Sequence, residues 1–316
     1  MKELMEKIYR PSRKWTDQFL IAGLFAAALA IGGEIVSAVV LKFANTDVLF
    51  NRLLGNEDIA AFFTEYLYFF GIWLVVFLVV AIPGGNRPML KAWGRSGEGN
   101  NLKGAAAGAL LGFGTNGFCV LMSVLMGDIK LSYQGFDPLV FFSFLAVVFI
   151  QSGAEEITDR LYLYQKLRRR YRSPLAAIII NPLIFMSMHV FNDGFTFTAG
   201  LEIVAVGIIF SVLVYYYNSL WAAITFHTFW NFTQNILFGL PNSGIVSAYS
   251  VFRLEAASAN SGLFYDTAFG VEGSIGSTAV LLAVLAVILF INRGKPEKHD
   301  YWLTPEEEDK HDLSAE

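Results

Sequence analysis

Cysteine occurs once in the 316 residues, at Cys119, so no disulfide can close within the chain and no cluster of thiolates can hold a metal. Charge is scarce too: Asp, Glu, Lys and Arg make up 16%, against roughly 25% in ordinary soluble domains. No heptad pattern persists, which excludes a coiled coil, and aromatic residues reach 15%, which excludes a disordered chain. No nucleotide-binding glycine loop and no internal repeat is present. The small acidic excess, a net charge of −4, is confined to residues 293–316, which hold eight acidic and four basic residues. The rest of the chain balances at 19 against 19, so no basic face exists to bind nucleic acid.

What is abundant is apolar. Hydrophobic residues make up 55% of the chain, and a helix crossing a bilayer uses about 20 of them. Apolar runs lie near 17–41, 62–82, 104–126, 138–163, 174–192, 197–217, 219–240 and 274–292. They predict an all-α, polytopic transmembrane bundle of about eight helices. The expected organisation is a cytoplasmic N-terminus over 1–16, a membrane domain over 17–292 and an acidic cytoplasmic tail over 293–316. The first run lacks a small-residue cleavage site and reads as an uncleaved helix.

Basic loops stay in the cytoplasm, and that rule orients the bundle. With the N-terminus inside, segments 1–14, 83–103, 160–173, 215–219 and 293–316 hold 19 of the 23 Lys and Arg residues. The outer loops keep Lys42, Arg52, Lys130 and Arg253. Both termini are then cytoplasmic. The run Arg168-Arg169-Arg170 is expected to set topology and meet lipid headgroups. Gly104, Gly108 and Gly112 share one helix stripe, which predicts close helix packing. The outer segment 241–273 reads as a partly ordered loop without chemistry of its own.

Ionisable side chains at bilayer depth cost about 2.5 to 3.5 kcal/mol each, so each needs a reason. The candidates are Glu34, Glu65, Glu155, Glu156, Asp159, Arg160, His189, Glu202 and His227. Glu65 reads as an outer-interface residue, Glu34 and Glu202 as packing or cavity residues. Glu156 and Arg160 are four residues apart, as are Glu155 and Asp159, Phe185 and His189, and His227 and Asn231, so each pair shares a helix face. Counting 1.5 Å per residue from the turn near Tyr171 sets Glu155 and Glu156 level with His189. The same count leaves His227 shallower. A carboxylate beside an imidazole can hold and deprotonate a water, and a second His with an Asn can donate to an oxyanion. The donors Glu155, His189 and His227 would also suit Zn²⁺ or a similar divalent ion. Spacing leaves the two alternatives open.

The three motifs together, Glu155-Glu156-x-x-x-Arg160, Phe185-x-x-x-His189 and His227-x-x-x-Asn231, resemble those of the CPBP (Abi, or type 2 CAAX protease) family of intramembrane proteases, in the family's order. The likeness covers about 138–240. It implies that Glu155 activates a water with help from His189, that His227 and Asn231 stabilise the oxyanion, and that Glu156 and Arg160 form an orienting ion pair. It also implies a site in a cavity open towards the cytosol, with a metallo- or a glutamate-dependent mechanism. The expected substrates are membrane-associated: a peptide or a lipidated protein such as a prenylated CAAX tail, or a bacteriocin-related peptide. Membrane lipids are the other expected partners, and a prokaryotic plasma membrane the expected location. The family has an aromatic residue before the motif arginine and a glycine after it. Here Asp159 and Leu161 stand there, and Asp159 is expected to compete with Glu156 for Arg160. Two further readings are a proton-coupled transporter, in which the acids and histidines form a relay, and an inactive scaffold derived from such proteases.

Overall fold

The computed structural model describes residues 6–11, 14–96 and 99–303. All eight apolar runs are helical. They form α1 (Phe19–Phe43), the pair α3 (Glu57–Leu67) and α4 (Phe70–Ala81), α5 (Leu102–Leu125), α6 (Pro138–Glu156), α8 (Pro174–His189), α9 (Phe197–Tyr217), α10 (Leu220–Asn231) and α11 (Ile275–Ile291). A short α2 (Thr46–Leu54) lies between the first two runs. Among the described residues, five helical stretches are long and apolar enough to span a bilayer, while α8 and α11 are apolar but shorter. The protein is a multi-pass helical membrane bundle.

Polar residues at the run boundaries start the helices. Asn101 accepts from the Gly104 N–H (2.9 Å), Asp137 from those of Leu139 and Val140, and Thr196 from that of Ala199. Each satisfies an N–H that the first helical turn leaves unpaired. The run at 62–82 is broken by a turn at 68–69. The run at 138–163 instead continues without a break through a π-helix, Ile157–Leu163, into α7 (Tyr164–Arg170). The 33 residues from Pro138 to Arg170 span roughly 50 Å, well beyond a hydrocarbon core of about 30 Å. Arg160, counted above with a basic loop, therefore lies inside the bundle, fully buried.

The glycine stripe of α5 packs as expected. A Cβ on Gly104 would collide with the Gly99 carbonyl, on Gly108 with the Ala222 carbonyl and on Gly112 with the Phe226 carbonyl. The last two belong to α10, so the stripe seats the backbone of the helix that carries His227. The Thr225 hydroxyl donates to the Ala105 carbonyl (2.7 Å) across the same interface.

The five segments with the basic residues meet at one end of the bundle. The Arg10 N–H donates to the Arg170 carbonyl (2.9 Å), and Asp17 receives Lys166 (3.2 Å) and Arg169 (2.6 Å). Arg169 also reaches Asn86 (3.0 Å), and the Ser219 hydroxyl donates to the Gly99 carbonyl (3.0 Å). Arg168 pairs with Glu297 and Asp300, and Asp300 also receives Arg10. The Tyr301 hydroxyl donates to Asn218, and the Trp302 indole to Gln165. The expectation for the arginine run is thus corrected. Arg168 and Arg169 are buried and spent on the protein's own carboxylates, Arg168 on Glu297 and Asp300 of the tail and Arg169 on Asp17.

At the opposite end, strand β1 (Leu131–Tyr133) pairs antiparallel with β2 (Phe252–Leu254) in the register Leu131 to Leu254. The Asn192 amide donates to the Ser243 carbonyl (3.3 Å). The segment 241–273 is therefore built into this end.

Candidate active site

Glu155 and Glu156 close the last α-helical turn of α6, and the π-helix begins one residue later. A π segment widens the helix by an i→i+5 turn and recurs at functional sites. Here it leaves the Asp159 carbonyl to accept from the Asn181 side chain (2.6 Å). Asn231 stands in the same relation to a second π segment, Phe232–Leu237, after α10.

The ion pair forms as expected. The Arg160 guanidinium donates to Glu156 Oε1 (3.1 Å) and to the Gly207 carbonyl (3.1 Å), and lies over the rings of Phe185 and Phe210. Asp159 does not take over this arginine, approaching it only to 4.0 Å. Leu161 fills a fully buried position in the core.

The histidine beside the glutamates is His227. Its Nδ1 lies 3.0 Å from Glu156 Oε1, and its Nε2 lies 3.6 Å from Glu155 Oε2. The depth count that placed His227 too shallow is corrected. The α9–α10 turn is covered by the tail, with Asn218 in the left-handed conformation and the Lys298 N–H bonded to the Tyr215 carbonyl. The turn at Tyr171, by contrast, follows a 33-residue helical stretch that is longer than a bilayer core needs. Counting from two unequal starting points produced the mismatch.

His189, the last residue of α8, donates Nδ1–H to the Phe185 carbonyl (2.9 Å). That bond fixes its tautomer and leaves Nε2 as an acceptor. Phe185 lies edge-on to both histidine rings, 4.5 Å from His189 and 6.4 Å from His227. Among the described residues no three His, Cys, Asp or Glu side chains converge as a metal site. The donors Glu155, His189 and His227 do not converge on a common point that would hold a metal in this arrangement.

Asn231 spends its amide N–H groups on Gln151 (3.2 Å) and Ser152 (3.3 Å), so as placed it has no free donor for an oxyanion. Gln151 in turn donates to Glu155 Oε1 (2.7 Å). Asn231 thus holds Gln151, and Gln151 holds Glu155. The sequence reading missed Gln151, although it lies one turn before Glu155 on the same face. It also missed Glu272, from the loop read as having no chemistry. Glu272 accepts from the Trp230 indole (3.1 Å), from Asn242 (2.8 Å) and from the Ser243 N–H (2.7 Å), and Asn242 also donates to Asn231 (3.2 Å).

These groups border one cavity of about 670 Å³, lined by Glu34, Glu65, Gln151, Glu155, Asp159, His189, Glu202, His227, Asn231 and Glu272 among others. Three more of its polar lining residues, Asn192, Asn242 and Ser243, come from the end opposite the arginine cluster. The expectation of a cavity open towards the cytosol is therefore at odds with the basic-loop count, which assigns the cytosol to the arginine end.

Residues 137–233, just under a third of the chain, match the family model described as type II CAAX prenyl endopeptidase, Rce1-like. Searches of curated proteins and of solved structures returned no match.

Proposed function

We propose that this chain, whose residues 137–233 match the type II CAAX prenyl endopeptidase (Rce1-like) family model, hydrolyses a peptide bond of a membrane-associated substrate, with Glu155 as general base. At family level it is a CAAX-type intramembrane protease. The supporting observation is the pairing of the two glutamates through one imidazole. Glu156 is buried and held by Arg160 and His227, whereas Glu155 keeps 19% of its side chain exposed on the cavity.

In this reading the Glu155 carboxylate takes a proton from a water in the cavity, and the hydroxide adds to the substrate carbonyl. A doubly protonated His227 donates Nδ1–H to Glu156 and Nε2–H to the oxyanion. Collapse of the tetrahedral intermediate breaks the C–N bond, and Glu155 returns its proton to the leaving amine. His189, with Nε2 as an acceptor on the same cavity, orients the water. Asn231 and Gln151 position Glu155. The membrane is proposed to be a prokaryotic plasma membrane, and the substrate a prenylated CAAX tail or another membrane-associated peptide.

Cleavage of a fluorogenic prenylated CAAX peptide by the purified protein tests this. Glu155→Gln is expected to lower kcat by about 10²- to 10⁴-fold, the usual contribution of a positioned base. Full cleavage by Glu155→Gln would overturn the mechanism. The same assay with a chelator, and metal analysis of the same sample, decides whether a divalent ion takes part.

A further inference from the structure

Among the described residues the cavity carries six carboxylates, Glu34, Glu65, Glu155, Asp159, Glu202 and Glu272, and no lysine or arginine lines it. They are not equally provided for. Glu155 has Gln151 and His227, and Glu272 has an indole, an amide and both the N–H and hydroxyl of Ser243. Glu202 on α9 has the Ser277 hydroxyl on Oε1 (2.9 Å), while its Oε2 is buried without a hydrogen-bond partner among the described residues. The residue is 2% exposed. A buried oxygen left unpaired costs about 1 to 3 kcal/mol, which a donor arriving in the cavity would recover. Glu34 and Glu65 are exposed, and among the described residues neither side chain has a hydrogen-bond or ion-pair partner.

The end of the molecule that supplies the outer lining is acidic as a whole. Residues 42–65, 127–137, 190–196 and 241–273 hold ten Asp and Glu against four Lys and Arg. Such a field draws cations towards the cavity and repels anions.

Building on the protease reading, we infer that the substrate of this site is a peptide segment carrying a Lys or Arg side chain close to the bond to be cleaved. Glu202 receives the cationic head group, Glu34 and Glu65 attract it at the mouth, and it enters from the acidic end of the bundle. The long apolar stem of Lys or Arg suits the walls formed by Ile203, Val206 and Phe210.

The test uses the full-length protein in nanodiscs of zwitterionic lipid, with Glu155→Gln preventing turnover and empty nanodiscs as control. The probes are fluorescein-labelled 12-residue peptides, apolar except for one central Lys, Arg, norleucine or Glu, read by fluorescence anisotropy. Lys and Arg peptides should bind about tenfold more tightly than norleucine, equivalent to about 1.4 kcal/mol, and the Glu peptide more weakly still. Adding Glu202→Gln should remove most of that preference. Glu34→Gln, at an exposed position, should remove a smaller part that 0.5 M salt also removes. Equal binding of Lys and norleucine peptides, or a preference unchanged by Glu202→Gln, would overturn the inference. Binding does not require hydrolysis, so the two readings fail separately. Cationic preference without cleavage in the wild type would count against the protease alone, and cleavage of the prenylated peptide without cationic preference would count against this inference alone.

Discussion

The two adjacent glutamates do different work because one faces the cavity and the other faces an arginine. Glu156 is fully buried, and Arg160 and His227 both depend on it. Removing one partner of a buried pair leaves the other charge uncompensated, at a cost of about 3 to 5 kcal/mol. Glu156→Gln should therefore lower thermal stability as well as kcat, whereas Glu155→Gln should lower kcat alone. The double variant Glu156→Gln/Arg160→Met should regain much of the stability in thermal unfolding but none of the activity. Recovery of both would mean that the pair does not position His227. Much of this was legible in the sequence, because i, i+4 pairing is local and Glu156 finds Arg160 on its own helix. Gln151 was within reach of the same rule applied backwards from Glu155. Glu272 was not, since its partners Trp230, Asn242 and Ser243 are brought together only by tertiary folding.

Among the elements, α10 is set by what lies behind it. Gly108 of α5 touches the α10 backbone, whereas a Cβ on Gly114 of the same helix would meet nothing within 4 Å. Gly108→Ala should cost about 1 to 3 kcal/mol through overpacking and lower cleavage by displacing His227. Gly114→Ala should be neutral or gain up to about 1 kcal/mol, the ordinary helix preference for alanine. Thermal unfolding and cleavage assays on the two variants check this, and equal effects would show that the stripe does not seat α10. The eight helical runs were readable because apolar length is a strong signal. The continuation to Arg170, both π segments and the covered turn at 218–219 were not. Nothing in the run Ile157–Leu163 distinguishes a π-turn from an α-turn, and the depth of a loop depends on what packs over it.

Across the whole molecule, the basic end is a folded cap rather than a fringe of loops. Burial raises the Glu297 carboxyl to about 7, against the opposing pull of Arg168. The docked tail therefore binds a proton that the undocked tail releases at its ordinary value near 4.5. The sign follows: this group's contribution to docking is full below about pH 4.5 and is lost as pH rises through about 7. Hydrogen exchange over residues 294–303 should accelerate from pH 6 to pH 8 beyond the intrinsic base-catalysed rate. In Glu297→Gln, which mimics the protonated form, that extra acceleration should disappear, and its persistence would assign the effect to another group. The cap also imposes an order on biogenesis. Arg10 leaves the ribosome long before Asp300, and the two meet in one ion pair that also engages Arg168. Until Glu297 and Asp300 are made, the nascent chain holds Arg168 without the carboxylates that balance it, so the bundle is closed by residues that follow its last helix and a chain stopped at Asn292 lacks its clasp.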